Sequence, residues 1–86
     1  MSDELEQLAR KLLKLLQQNN KMITTAESCT GGWVAKTLTD IAGSSSAFEQ
    51  GFITYSNIAK IKMLAVSEKT LDRFGAVSEN TVAEMA

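Results

Sequence analysis

Leucines at positions 5, 8, 12, 15 and 16 recur at three- and four-residue steps, the spacing of one helical face, and predict a packing helix over residues 3–18. Ser2 or Asp3 can cap its start, Glu4 and Glu6 suit its first turn, and Gln17-Gln18-Asn19-Asn20 ends it. Met22 to Thr25 is a short β-prone run, followed by a small, polar turn from Ala26 to Gly32. Trp33, Val34, Leu38 and Ile41 predict a helix from near Gly31 to near Asp40, with Trp33 on its apolar side, and Gly43 to Ser46 reads as a loop. From Gly51 to Tyr55 the pattern changes to alternation, with Phe52 and Thr54 on one side and Ile53 and Tyr55 on the other, which predicts a strand. Ser56 or Asn57 caps a helix from Ile58 to Ala65. Ser67 with Glu68 opens a short helix stopped at Gly75, and Ser78 opens a last one through Val82 and Met85.

Strand, helix and strand in succession form a βαβ unit, which implies parallel pairing and an α/β, three-layer α/β/α fold. Parallel pairing brings the turns after Thr25 and after Tyr55 to the same, C-terminal edge of the sheet, where open α/β sheets hold their ligands.

Composition narrows the chemistry. The 86 residues suit one small domain, and a chain of this size buries only roughly 60% of its unfolded surface. A net charge of −1 gives no electrostatic footprint for nucleic acid, and no apolar run approaches the ~20 residues of a membrane helix. The acidic start, Met1-Ser2-Asp3-Glu4, is unlike a signal peptide, and one cysteine, Cys29, fits a reducing cytoplasm. There is no histidine, so a Ser-His-Asp triad, a Cys-His dyad and a histidine-rich zinc site are excluded. A base supplied by this chain must be a carboxylate, a lysine or a tyrosine.

Thr24-Thr25-Ala26-Glu27-Ser28-Cys29-Thr30-Gly31-Gly32 sets hydroxyls, a thiol and a carboxylate just before a helix. Free N–H groups there favour an anion or a developing oxyanion, and the paired glycines let backbone approach a ligand. The same residues could simply cap a helix. Ser28 as nucleophile needs a base; Cys29 is the rival nucleophile, or a small buried hydrophobe. Glu27 could be a base, a cap or a cation ligand. Lys60 and Lys62 lie about 160° apart on their helix, so one of them belongs at a boundary or in a site. Desolvation would suit such a lysine to general-base work, unless its stem carries the charge out to water. Tyr55 could assist proton transfer or be an interior tyrosine with a satisfied hydroxyl.

The block Thr25-Ala26-Glu27-Ser28-Cys29-Thr30-Gly31-Gly32 resembles the signature of the CinA C-terminal domain family, the nicotinamide-nucleotide amidohydrolases. Gly51-Phe52-Ile53-Thr54-Tyr55-Ser56-Asn57-Ile58-Ala59-Lys60 resembles its second segment, and Ile41 to Ser45 and Gly75 to Ser78 fit in order. The resemblance covers essentially the whole chain. It implies hydrolysis of the carboxamide of nicotinamide mononucleotide to nicotinic acid mononucleotide and ammonia, in pyridine-nucleotide salvage, by a Ser/Lys mechanism. By motif position, Ser28 is the nucleophile, Lys60 the base and Tyr55 its helper. Backbone N–H groups near Cys29, Gly31 and Gly32 would hold the oxyanion, with Thr30 beside them in oxyanion or substrate binding. Neither metal nor cofactor is required.

Two departures accompany the resemblance. Ile58 stands where the family usually has an acidic residue. The family domain also continues beyond residue 86, so residues 1–86 correspond to the N-terminal half of a single domain. The expected partners are a small nucleotide substrate and further copies of the chain, with no nucleic acid and no membrane. The contrasting expectation is a non-catalytic partner-binding module linked to competence or DNA damage.

Overall fold

The computed structural model describes residues 3–86. In chain order the elements are α1 (Asp3–Gln18), β1 (Ile23–Glu27), α2 (Trp33–Thr39), a 3-10 turn (Ser44–Ser46), β2 (Phe48–Ile53), α3 (Asn57–Leu64), α4 (Glu68–Phe74) and α5 (Glu79–Met85). The order agrees with the hydrophobic pattern, and α1 spans the residues its periodicity predicts. Ser2, one of its two expected caps, lies outside the described residues. Asp3 is already helical, in a first turn it shares with Glu4 and Glu6.

β1 and β2 pair in parallel, with Ile23 opposite Phe48 and Glu27 opposite Ile53. The ladder irregularity next to Ile23 lets β2 start three residues earlier than alternation suggested, through the exposed polar pair Glu49 and Gln50. The ladder runs one residue further, where Thr54 N–H donates to the Glu27 carbonyl at 2.9 Å. Tyr55 therefore lies two residues past β2 instead of closing it. Ile23 N–H donates to the Ala47 carbonyl at 2.7 Å, so the odd-numbered residues of β1 turn their backbone groups toward β2. Those of Thr24 and Ala26 face the other edge, where no strand pairs among the described residues.

Each face of the sheet supports one core. Ala9, Leu13, Leu38, Ile41 and Ala47 gather beside Ile23 under α1 and α2; Val66, Leu71 and Met85 gather beside Ala26 under α3, α4 and α5. Alternate residues of β1 thus feed opposite layers, and the fold is the expected three-layer α/β/α arrangement. Ser56 Oγ accepts from Ala59 N–H at 3.0 Å, and Ser78 Oγ accepts from Thr81 N–H at 3.1 Å, so both serines act as caps. The head of α4 is closed from a distance: the Glu84 carboxylate on α5 accepts from Ser67 N–H at 2.8 Å and from the Thr70 hydroxyl.

The expected leucine face of α1 is not the one that packs. Ala9 and Leu13 are buried with Leu16 beside them, whereas Leu8 and Leu15 are 62% and 58% exposed. At 100° per residue the two rows are centred roughly 90° apart, so the longer leucine row faces partly outward. Trp33 is likewise 60% exposed, not packed into the core. With Leu5, Leu8, Leu12 and Val34 it lines an open apolar groove of about 380 Å³ between α1 and α2. No helix among the described residues is long and apolar enough to cross a membrane.

Candidate active site

The C-terminal edge of the sheet carries the two polar turns. In the first, β1 ends at Glu27 and α2 begins at Trp33, and three of the residues between them are left-handed: Cys29 at φ 72°, Gly31 at 64° and Gly32 at 91°. Gly32 occupies the cap position of α2 and has no side chain to cap with. Glu27 supplies the cap instead. One of its carboxylate oxygens accepts from Thr30 Oγ1 and Val34 N–H, both at 2.8 Å, and the other accepts from Ala35 N–H at 3.0 Å. Burial of this side chain, only 5% exposed, pushes its carboxyl up. The bonds from Ala35, Val34 and Thr30 outweigh burial and hold it below the ordinary glutamate range. Of base, cap and cation ligand, Glu27 has the geometry of a cap. The helix N–H groups expected to be free for an anion are therefore already occupied.

The unoccupied donors lie earlier in the chain. The N–H groups of Cys29, Thr30, Gly31 and Gly32 reach no protein acceptor among the described residues. Successive N–H groups on left-handed backbone form a concavity suited to an anion. Ser28 is half-buried, and its Oγ lies 3.8 Å from the exposed Cys29 thiol.

The second turn places Lys60. Its side chain lies on α3 and is buried, 1% exposed, while Lys62 is exposed, so the two lysines divide as their angular separation demanded. Lys60 Nζ donates to the Tyr55 carbonyl at 3.3 Å. No carboxylate pairs with it: the ion pairs among the described residues, Arg10–Glu6 and Lys36–Asp40, are on the surface. A buried lysine without a counter-ion is rare in a merely structural role. The Tyr55 side chain is 86% exposed, so it is not an interior tyrosine.

A cleft of about 670 Å³ runs along the open edge of β1, with Ser28, Cys29 and Thr30 on one wall and Leu64, Val82 and Met85 on another. Lys60, Tyr55, Gly31 and Gly32 stand outside its lining. No hydrogen bond joins Ser28 to Lys60 among the described residues. They are related through the sheet, since Ser28 follows the last paired residue of β1 and Lys60 is tied to the residue after Thr54. One signal for Glu27 was present in the sequence: two glycines at a helix start leave its cap to be supplied from elsewhere.

Comparison with known proteins places the fold in a family. The model of the CinA C-terminal domain matches residues 5–86. "Nicotinamide-nucleotide amidohydrolase PncC" of Escherichia coli is 59% identical over 83 residues, covering 96% of this chain and 50% of that protein. A "CinA-like protein" of Colwellia psychrerythraea is 52% identical over 86 residues, covering 100% of this chain and 20% of its own length. The crystal structure of competence/damage inducible protein CihA from Agrobacterium tumefaciens superposes with a TM-score of 0.98 at 48% identity, covering all of this chain and 52% of that one. The chain thus spans about half the length of the amidohydrolase it matches, or less of the longer proteins.

Proposed function

The chain belongs to the CinA C-terminal domain family, and from that premise we propose that it carries the catalytic half of an amidase acting on nicotinamide mononucleotide. The observation that supports this most is the buried, unpaired Lys60, bound to the turn beside the strand that presents Ser28. In the proposed reaction the Lys60 amine takes the Ser28 hydroxyl proton as Oγ attacks the carboxamide carbon. The oxygen of the tetrahedral intermediate is held by N–H groups of Cys29, Gly31 and Gly32, with Thr30 contacting the oxyanion or the substrate. Collapse breaks the C–N bond, and the lysine returns the proton to the leaving ammonia. Water, deprotonated by the same amine, then hydrolyses the acyl-serine ester. The C–Oγ bond breaks, the lysine returns that proton to Ser28 Oγ, and the product is nicotinic acid mononucleotide. Tyr55 fixes Lys60 through its carbonyl, and its exposed phenol assists proton transfer.

This reaction belongs to pyridine-nucleotide salvage in the cytoplasm, a setting in keeping with a free, exposed Cys29. The open apolar groove beside Trp33 supports association with further copies of the chain. The test is ammonia release from nicotinamide mononucleotide by this chain fused through Ala86 to the second half of the Escherichia coli relative. A serine-directed label on Ser28 should be blocked by the substrate. Release of ammonia with protection supports the amidase; labelling indifferent to the nucleotide, with no ammonia, supports the non-catalytic module.

A further inference from the structure

The reaction leaves one buried ionisable group without a task. Glu27 is among the least exposed side chains of the first turn, and its carboxylate is committed to three donors on the far side of that turn. A serine or aspartate at the cap position would have closed α2 locally. Gly32 stands there instead, left-handed, and the chain between Ser28 and Gly32 is an arch fastened at its base by Glu27.

Two consequences follow from that fastening. The carboxylate satisfies the N–H groups of Val34 and Ala35 and offsets the positive end of α2, which removes the helix as a competing anion site. It also accepts from the Thr30 hydroxyl, at the middle of the arch. The donors left over are those of Cys29 to Gly32.

We propose that Glu27 is a positioning residue for amide hydrolysis: its carboxylate holds the arch so that the N–H groups of Cys29 to Gly32 stay unpaired and aimed where the oxyanion forms. The inference rests on the amidase reading. It assigns Glu27 no contact with the substrate and no proton transfer. A carboxylate can accept from all three donors at once, whereas the side-chain amide introduced by Glu27→Gln would set an N–H against one of them.

The experiment compares Glu27→Gln and Glu27→Asp in the fused amidase, with backbone amide NMR of the same proteins. Loss of alignment in an oxyanion site costs on the order of 10² to 10³ in kcat. Glu27→Gln is expected to lower kcat by about 10²-fold with KM changed less than about threefold, and Glu27→Asp to recover at least about a tenth of wild-type kcat. The amide signals of Cys29 to Gly32, as well as those of Val34 and Ala35, should shift in Glu27→Gln. Unchanged kcat in Glu27→Gln overturns the proposal, as does a loss confined to KM. If Glu27→Gln does not fold, Glu27→Asp decides: wild-type arch signals with lost kcat overturn it, and arch signals displaced in proportion to the loss support it. Where the wild-type fusion releases no ammonia the amidase reading fails by itself. The amide signals then still test the fastening, and a wild-type arch in Glu27→Gln overturns it.

Discussion

Lys60 reaches back five residues and donates its buried amine to the carbonyl of Tyr55 at 3.3 Å. The contact secures the amine at the C-terminal edge of the sheet. Lys60→Met keeps the long stem and removes the amine. An apolar side chain of similar volume avoids the cost of burying an amine without a counter-ion, so the melting temperature should hold or rise. Amide hydrolysis should vanish from the fused protein, and Lys60→Arg should not restore it, because a guanidinium does not give up its proton. Calorimetry beside an ammonia assay separates the two effects. A Lys60→Met protein with wild-type turnover would remove the lysine from the mechanism.

Ser28 and Cys29 are neighbours with different expected roles. Ser28→Ala should reduce kcat to background, a loss that can reach the order of 10⁶ when a nucleophile is removed. Cys29→Ala should retain much of the activity, since the backbone N–H, not the thiol, is assigned to the oxyanion. A dead Cys29→Ala with an active Ser28→Ala would reverse the assignment.

Two helix-capping carboxylates predict the response to acid. Bonds from Thr70 and Ser67 lower the Glu84 carboxyl below the ordinary 4.5, against a small opposing effect of burial. The Glu27 carboxyl is lowered too, with burial as the opposing effect. A group depressed in the folded state adds stability above its unfolded value and loses it as pH falls through its folded value. Stability should therefore be level above about pH 5 and decline progressively below about 4.5. Glu84→Gln should flatten part of that decline, as followed by urea melts across the range. An unchanged acid slope would detach Glu84 from the cap of α4.

The Thr25 hydroxyl is buried and has no hydrogen-bond partner among the described residues. Thr25→Val keeps the branched shape and removes the unsatisfied group, whose burial costs about 1–3 kcal/mol. It should stabilise the fold by about 1 kcal/mol. Gly51, opposite Thr25 in the ladder, has no such latitude: a Cβ there would stand 2.8 Å from Thr25 Oγ1 and 3.4 Å from Ala35 Cβ. Gly51→Ala should cost about 1–3 kcal/mol through overpacking. Denaturant midpoints compare the two, and a stabilising Gly51→Ala would contradict the packing.

Much of this fold was legible because its strongest signals are local. The leucine repeat of α1, the caps Ser56 and Ser78, and the switch to alternation before Tyr55 depend on nearest neighbours. So does the division between Lys60 and Lys62, once the helix they share is recognised. What escaped depends on groups distant in sequence. Which leucine row of α1 packs is decided by Leu38, Ile41 and Ala47, and the cap of α4 comes from Glu84, seventeen residues away. β2 begins at Phe48 because β1 pairs with it there, against the polar character of Glu49 and Gln50. The site divided in the same way: the Ser28 turn could be read from its own residues, whereas the commitment of Glu27 to α2 required the turn to close.

The edge of β1 left unpaired among the described residues and the Ser28 wall of the cleft are one stretch of chain. A strand that takes that edge would be laid beside Ser28, so that on the proposed function completing the sheet and closing the substrate site would coincide. On the proposed function, a segment that captures the edge in the wrong register would silence hydrolysis without touching Ser28 or Lys60.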